Sequence, residues 1–225
     1  MGQLAVVLPA RPIASLEEWL AVGGGSALER ASQLGPDGTI AELQRAGVRG
    51  RGGAGFPIAT KWNTVRRAAG RHRYAVCNGA EGEPGTFKDR AILRANPYQV
   101  IEGLSIAALT LDAQEVFIAL KATFSAERER VTAAVTEMER AGMLGDLSVG
   151  IVGGPEEYLF GEEKALLEVV EGNEPLPRWL PPYVHGLFAT APQLGWEAHE
   201  PEPGHTPGHE SNPTAVNNVE TLANV

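Results

Sequence analysis

Hydrophobic and polar positions repeat with two different periods along this chain. Short apolar runs rich in β-branched and aromatic residues predict three strands, at Tyr74–Cys77, Val116–Leu120 and Leu147–Val152. Apolar residues at helical spacing predict helices between and after them, at Phe87–Leu93, Tyr98–Leu111, Ala126–Ala141 and Glu162–Glu171. This alternation predicts an α/β fold, with a mostly parallel sheet and flanking helices.

The residues before the first predicted strand have a less regular pattern. Residues 1–38 are rich in Gly, Pro and Ala and are interpreted as an N-terminal arm. Thr39 and Glu42 have capping-box spacing, which predicts a helix over Ile40–Ala46 with Gly47 as its left-handed C-cap.

The remaining segments complete the predicted organisation. Within the arm, Leu16–Ala21 is expected to form one short helix. Residues 173–213 are rich in proline and predicted to be a loop. Residues 39–225 are therefore predicted to form one α/β domain.

Composition and charge narrow the classes of function. The 225 residues carry a formal net charge of −9, which argues against nucleic acid as the main partner. No stretch reaches about 20 apolar residues and no basic region precedes the first apolar residues, so we expect a cytoplasmic protein, associated with a membrane only through a complex. The single cysteine, Cys77, cannot form an intrachain disulfide or by itself hold an iron–sulfur cluster.

One stretch concentrates glycine and arginine. Residues 47–56 read GVRGRGGAGF, with Arg49 and Arg51 among the glycines. Glycine allows positive φ and close approach of a ligand, and successive N–H groups in such a loop can bind an anion, most often phosphate. The stretch matches neither a Walker loop nor a Rossmann fingerprint. From the residues alone, a phosphate-bearing ligand and a tight structural turn both remain open.

A second cluster follows the first predicted strand directly. Residues 78–90 read NGAEGEPGTFKDR and offer an amide at Asn78 and carboxylates at Glu81 and Glu83. The carboxyl ends of parallel strands are where α/β folds bind ligands. This cluster is therefore expected to lie at a ligand site.

Two further clusters carry polar groups. Residues 158–167, YLFGEEKALL, place Glu162 and Glu163 at a helix N-terminus, where helix capping is an alternative role. Residues 212–225, NPTAVNNVETLANV, contain the paired amides Asn217 and Asn218, a group type that can read the edge of a heteroaromatic ring.

Together, in this order and spacing, the four clusters resemble the flavin- and NADH-binding subunit of respiratory complex I. The same family includes the diaphorase subunits of NAD-reducing hydrogenases and NAD-dependent formate dehydrogenases. The resemblance covers about residues 39–225 and implies the Rossmann-like FMN-binding domain of that subunit. It implies hydride transfer from NADH to FMN, followed by single-electron transfer to an iron–sulfur relay.

The resemblance also implies which residues bind FMN. The glycine loop would lie beside the phosphate and ribityl chain, and Lys61 would approach the flavin. The other implied contacts come from the strand end, from the third cluster and from the last cluster. The full set is Gly50, Gly52, Gly53, Gly55, Lys61, Asn78, Glu81, Tyr158, Gly161, Glu162, Asn217, Asn218 and Thr221.

NADH recognition would fall to fewer residues. Phe56 matches the family aromatic that stacks on NADH, and Glu83 and Glu163 match the acidic residues that meet it and are assigned catalytic roles. Three positions depart from the family pattern, where an aspartate, an aromatic and a lysine are expected: Ala80, Thr64 and Leu180. The alternative is therefore a flavin-binding electron-transfer module that depends on a partner and does not use NADH. A remnant without flavin is a third, weaker alternative.

The family pattern continues beyond the last cluster with a cysteine-ligated 4Fe–4S domain. We therefore expect the cluster in a downstream domain or in a partner within a larger redox complex. The apolar segment 215–225 is expected to be left without its neighbours. His185, His199, His205 and His209 are interpreted as loop residues, and no metal site is expected.

Overall fold

Four parallel strands form the centre of the molecule. The computed structural model describes residues 7–191 and 210–225. Within them the strands are β1 (Tyr74–Gly79), β2 (Glu115–Lys121), β3 (Ser148–Gly154) and β4 (Thr214–Asn218), in the spatial order β3-β2-β1-β4. Each neighbouring pair runs parallel.

The strand order creates a switch point beside β1. The chain proceeds from β1 to β2 and β3 on one side, whereas β4 lies on the other side. Asn78 pairs in register with Asn218, so β1 and β4 end at the same level of the sheet. The carboxyl end of a sheet at such a reversal of strand order is the usual ligand site of open α/β folds.

Helices cover the sheet and supply most of the core. They are α1 (Leu16–Ala21), α2 (Ser26–Ala46), α3 (Ile58–Arg67), α4 (Lys88–Ala95), α5 (Pro97–Leu111), α6 (Ser125–Arg140), α7 (Glu163–Val170) and α8 (Val219–Ala223), with a 3₁₀ turn at Tyr158–Gly161. Helix α5 is apolar almost all round and buried almost throughout, because α2, α6 and α8 pack against it. Among the described residues, no helix is long and apolar enough to cross a membrane.

The predicted α/β class and the three predicted strands are confirmed. Each strand extends one or two residues beyond its apolar run at one end or both, and the four helices predicted among the strands are also present. The short helix of the arm is present as α1. Gly47 ends α2 with φ of 63°, in the predicted left-handed C-cap conformation.

The predicted start of the second helix is wrong. Helix α2 begins at Ser26, not at Ile40, and bends at Gly35, whose φ of 64° and ψ of 177° are not helical. Pro36 follows and restarts the helix, as proline does well in a first helical turn. Thr39 is therefore inside the helix, where its hydroxyl donates to the Gly35 carbonyl at 2.9 Å.

Helix α2 thus runs through the boundary predicted between the arm and the domain. Ile13, Leu16 and Ala31 of the predicted arm are buried in the same core as α5. The division into residues 1–38 and 39–225 stays a prediction, and the two parts share one core.

The expectation for residues 215–225 is also wrong. Ala215, Val219, Leu222 and Ala223 are each at most 3% exposed. The sequence pattern did not predict β4 or α8, which pair with β1 and pack on α5. The apolar residues of this segment therefore have neighbours within the chain.

Candidate functional site

A cleft of about 540 Å³ opens at the carboxyl ends of β1 and β4. It lies at the switch point, between the glycine-rich loop on one side and the 3₁₀ turn on the other. Every site residue predicted from the sequence lines it: Gly50, Gly52, Gly53, Gly55, Phe56, Lys61, Asn78, Glu81, Glu83, Tyr158, Gly161, Glu162, Glu163, Asn217, Asn218 and Thr221. The four sequence clusters therefore meet at one place.

The glycine-rich loop is closed at its base and anchored at its tip. Gly50 N–H donates to the Phe56 carbonyl at 2.8 Å, which brings the two sides of the loop together. Arg51 N–H donates to the Thr221 hydroxyl oxygen at 2.8 Å, so α8 holds the tip. The loop is a fixed turn beside the cleft.

Four successive backbone amides of this loop remain available to a ligand. Gly53 and Gly55 have φ of 112° and 62°, in the left-handed region that favours glycine. Within the described part of the chain, the N–H groups of Gly52, Gly53, Ala54 and Gly55 make no hydrogen bond of ordinary length and angle. An exposed run of unpaired N–H groups in a turn is an anion-binding arrangement.

Two asparagines of the cleft, Asn78 and Asn217, hold its walls together. Asn78 donates to the Gly161 carbonyl at 2.9 Å and accepts from Ala80 N–H at 3.1 Å. Asn217 is buried and accepts from the indole N–H of Trp62 at 3.2 Å. These amides connect β1 to the 3₁₀ turn and β4 to α3. The FMN contacts implied for Asn78, Asn217 and Asn218 stay predictions.

Lys61 lies where α3, β4 and α7 converge. Its ammonium donates to the Glu163 carboxylate and to the Val216 carbonyl, the latter at 2.9 Å. The Lys61 side chain is 26% exposed and that of Glu163 is 43% exposed. The pair therefore presents one positive and one negative group at the floor of the cleft.

Two aromatic rings stand at the open side of the cleft. Phe56 is 49% exposed and Tyr158 is 61% exposed, although both are large and apolar. The Tyr158 hydroxyl donates to the Glu83 carboxylate across the opening, and this hydrogen bond raises the pKa of Tyr158. Exposed aromatic faces of this kind suit a flat heteroaromatic ligand.

Two of the predicted carboxylates cap helices. Glu162 accepts from Lys164 N–H at 2.9 Å and from Ala165 N–H at 3.0 Å, at the start of α7. Glu81 accepts from Asp89 N–H at 3.1 Å at the start of α4 and pairs with Arg90. The capping role considered for the third cluster is confirmed for Glu162.

Sequence reasoning did not assign Lys88 and Asp89, which also line the cleft. Asp89 is 3% exposed, and burial is the main cause that raises its pKa. Lys88 donates to Asp89 at 2.7 Å and to the Asn218 side-chain oxygen at 2.8 Å. Their only sequence signal was their position at a helix start in the second cluster.

Cys77 and His185 do not line the cleft. Cys77 is buried in β1, as expected for a core residue, and burial raises the pKa of its thiol. His185 is buried in the segment after α7, whereas His199, His205 and His209 lie outside the described residues. Across residues 7–191 and 210–225, no group of acidic, histidine or cysteine side chains could hold a metal ion.

The fold and the cleft define an open α/β domain whose cleft lies at the switch point of a parallel sheet. The family model described as the Nuo51 FMN-binding domain matches residues 43–225, so the chain belongs to this family. This confirms the family resemblance and the fold class inferred from the four sequence clusters.

Similar proteins support the same assignment. The chain is 37% identical over 222 residues to an NADH-quinone oxidoreductase subunit of Rhizobium meliloti, covering 92% of this chain and 47% of that protein. It is 37% identical over 221 residues to an NADH-quinone oxidoreductase subunit of Aquifex aeolicus, covering 94% of this chain and 46% of that protein. The chain thus spans about half the length of these curated relatives.

A solved structure shares the fold. A chain in the crystal structure of an air-oxidised NAD⁺-reducing [NiFe]-hydrogenase matches with a TM-score of 0.72 and 33% identity. The match covers 95% of this chain and 34% of that chain.

Proposed function

We propose that this chain is the flavin-binding part of an NADH dehydrogenase-type electron-transfer subunit, with FMN in the cleft. The observation that carries the proposal is the run of four unpaired amides at Gly52–Gly55, at the switch point of the sheet. A dianionic phosphate is the group that such amides bind best. Arg51, Lys61 and Lys88 line the same cleft as hydrogen-bond donors, each beside a carboxylate.

The residues present fit FMN. Gly53 and Gly55 have open space where a Cβ would stand, so the loop offers backbone and no side chain there. Phe56 and Tyr158 offer aromatic faces at the opening of the cleft, and Lys61 offers a cation at its floor. When bound, FMN supplies hydride acceptance and single-electron release. Glu83 and Glu163 are proposed to meet the hydride donor.

The family relationship supports a larger assembly around this chain. The curated relatives are subunits of NADH-quinone oxidoreductases, and the structural neighbour belongs to a hydrogenase. We propose that this chain also works within a redox complex, whose iron–sulfur protein or domain takes electrons from the flavin. The complex would provide any association with a membrane.

The experiment compares two glycines of similar conformation. Gly53→Val should weaken FMN binding at least tenfold, about 1.4 kcal/mol, because valine cannot hold the loop with φ of 112°. Gly23→Val is the matched control, since Gly23 has φ of 98°, equally open space and no part in lining the FMN cleft. Titration followed by flavin fluorescence and induced dichroism measures both. Equal retention of FMN by the two variants, or no binding by the unmodified protein, would contradict the proposal.

A second candidate function is a flavin module that does not use NADH. Of the three positions that depart from the family pattern, only Ala80 lines the cleft, and its methyl side chain cannot accept a hydrogen bond. Thr64 is exposed on α3 and donates to the Thr60 carbonyl at 3.0 Å. Loss of several polar or stacking partners weakens binding by orders of magnitude.

Rapid mixing of the FMN-loaded protein with NADH separates the two candidates. Slow bleaching of the flavin, accelerated by Ala80→Asp together with Leu180→Lys, is the result expected of the second candidate. Fast bleaching at low NADH concentration, unchanged in the double variant, would support the ordinary dehydrogenase function instead.

A further inference from the structure

A closed set of hydrogen bonds joins α4 to the end of β4. The Asp89 side chain is 5% exposed, and its two oxygens accept from Lys88 Nζ at 2.7 Å and from Asn218 Nδ2 at 2.6 Å. The other side-chain atom of Asn218, Oδ1, accepts from Lys88 Nζ at 2.8 Å and from Glu220 N–H at 3.0 Å. The Asn218 side chain is therefore held from both ends.

This set lies directly against the glycine-rich loop. A Cβ added at Gly52 would stand 3.5 Å from the Cβ of Asn218, an ordinary van der Waals contact. Asn218 also caps α8, whose Thr221 accepts from Arg51 N–H at the tip of the loop. Asn218 therefore contacts the glycine-rich loop directly. It also fixes the start of α8, the helix that anchors the tip of the loop.

A buried carboxylate at this place is costly for folding. It has been withdrawn from water, and Glu81 adds a second negative charge nearby. It also places negative charge near a site proposed for an anion, which opposes phosphate binding. Hydrogen bonds from Lys88 and Asn218 offset part of this cost, and they fix the positions of both side chains.

We propose that Asp89 is a positioning residue for the phosphate of the ligand, acting through Asn218 and Lys88 on the amides of the glycine-rich loop. The inference rests on the proposed FMN function and deepens it. In this proposal Asp89, which also lines the cleft, acts on the phosphate through its two partners. Its removal should therefore affect the phosphate-bearing flavin and leave the phosphate-free flavin nearly unchanged.

The experiment measures the affinities of the full chain for FMN and for riboflavin, which lacks the phosphate. Asp89→Ala should weaken FMN binding about tenfold and riboflavin binding less than about twofold, because only the phosphate end loses its geometry. Asp89→Asn should retain most of the FMN affinity, since its side-chain oxygen can still accept from Asn218. If Asp89→Ala does not fold, Asp89→Ser replaces it, because a hydroxyl is too short to reach Asn218.

Glu102→Ala is the matched control. Glu102 is 4% exposed and caps the start of α2 by accepting from Gly25 N–H at 2.9 Å and Leu28 N–H at 3.0 Å, and it does not line the FMN cleft. This variant should lower the thermal midpoint without changing the ratio of FMN to riboflavin affinity.

Four results would overturn the inference. Equal loss of affinity for both flavins in Asp89→Ala would indicate a general structural role, and unchanged affinity for both would indicate no role. Tighter FMN binding in both Asp89 variants would show that charge, and not position, governs the site. If the unmodified protein binds neither flavin, the proposed function fails and this inference fails with it.

Discussion

Lys61 is the cleft residue whose charge bears most directly on the proposed electron transfer. Its ammonium is fixed by the Val216 carbonyl and by Glu163, so it cannot move far from the floor of the cleft. A fixed cation near a flavin stabilises the negative charge of the reduced ring. The strength of this effect can be measured on the bound flavin.

Lys61→Met should make the midpoint potential of the bound flavin more negative by about 30 mV or more, one tenfold change in a two-electron equilibrium. Lys164→Met is the control, because Lys164 lies on α7 next to Glu163 but does not line the cleft. Spectroelectrochemical titration of both FMN-loaded variants provides the measurement. A similar shift in the two variants would mean that Lys61 acts only through the total charge of the protein.

The order of the sequence motifs predicted which residues meet at the cleft. It did not predict the hydrogen-bond partners of most of these residues. Glycine content predicted a turn with positive φ at residues 50–55, because positive φ is a local property. The partners of Asn217 and Asn218 come from α3 and α4, far away along the chain. Asp89 was missed for the same reason, since its contact with Asn218 exists only once α4 and β4 are packed.

At the scale of elements, the sequence predicted the helices and strands whose own residues show a clear apolar pattern. Strand β4 has five residues and ends in two amides, so its apolar pattern is too short to identify it. It is a strand because β1 offers an unpaired edge. Helix α2 was predicted to start too late because the Gly35–Pro36 bend resembles a loop in sequence. Tertiary packing decides both cases.

A buried ion cluster helps to attach the segment after α7. The Arg178 side chain is 1% exposed and pairs with Glu168 at 2.7 Å and Glu171 at 3.0 Å on and just after α7. Its guanidinium also donates to the Gly186 carbonyl at 2.7 Å. Breaking a buried pair from one side is strongly destabilising because the remaining charges lose their partner.

Arg178→Met should therefore lower the free energy of unfolding by about 3–5 kcal/mol. Arg66→Met, which removes an ion pair with the exposed Asp37, should lower it by less than about 1 kcal/mol. Urea denaturation followed by circular dichroism compares the two variants. Equal losses of unfolding free energy in the two variants would show that the Arg178 cluster stabilises the fold no more than an exposed ion pair does.

At the scale of the whole molecule, the negative net charge of the chain opposes the binding of the proposed anionic ligand. The chain has a net charge of −9, and the cleft is lined by more carboxylates than ammonium or guanidinium groups. An anionic ligand is therefore not drawn in by the overall field, and its binding must rely on contacts at short range. The amides of the glycine-rich loop meet this requirement because their dipoles act only nearby.

The proposed electron path also requires a group that this chain cannot supply. Its single cysteine is buried in β1, and a cysteine-ligated cluster needs about four thiolates. An iron–sulfur protein or domain should therefore accompany the flavin site in its native host. Native mass spectrometry and iron analysis of the untagged protein from that host should detect a larger assembly that contains both flavin and iron. An isolated, iron-free species of 23.9 kDa that still passes electrons from NADH to a soluble acceptor would contradict this prediction.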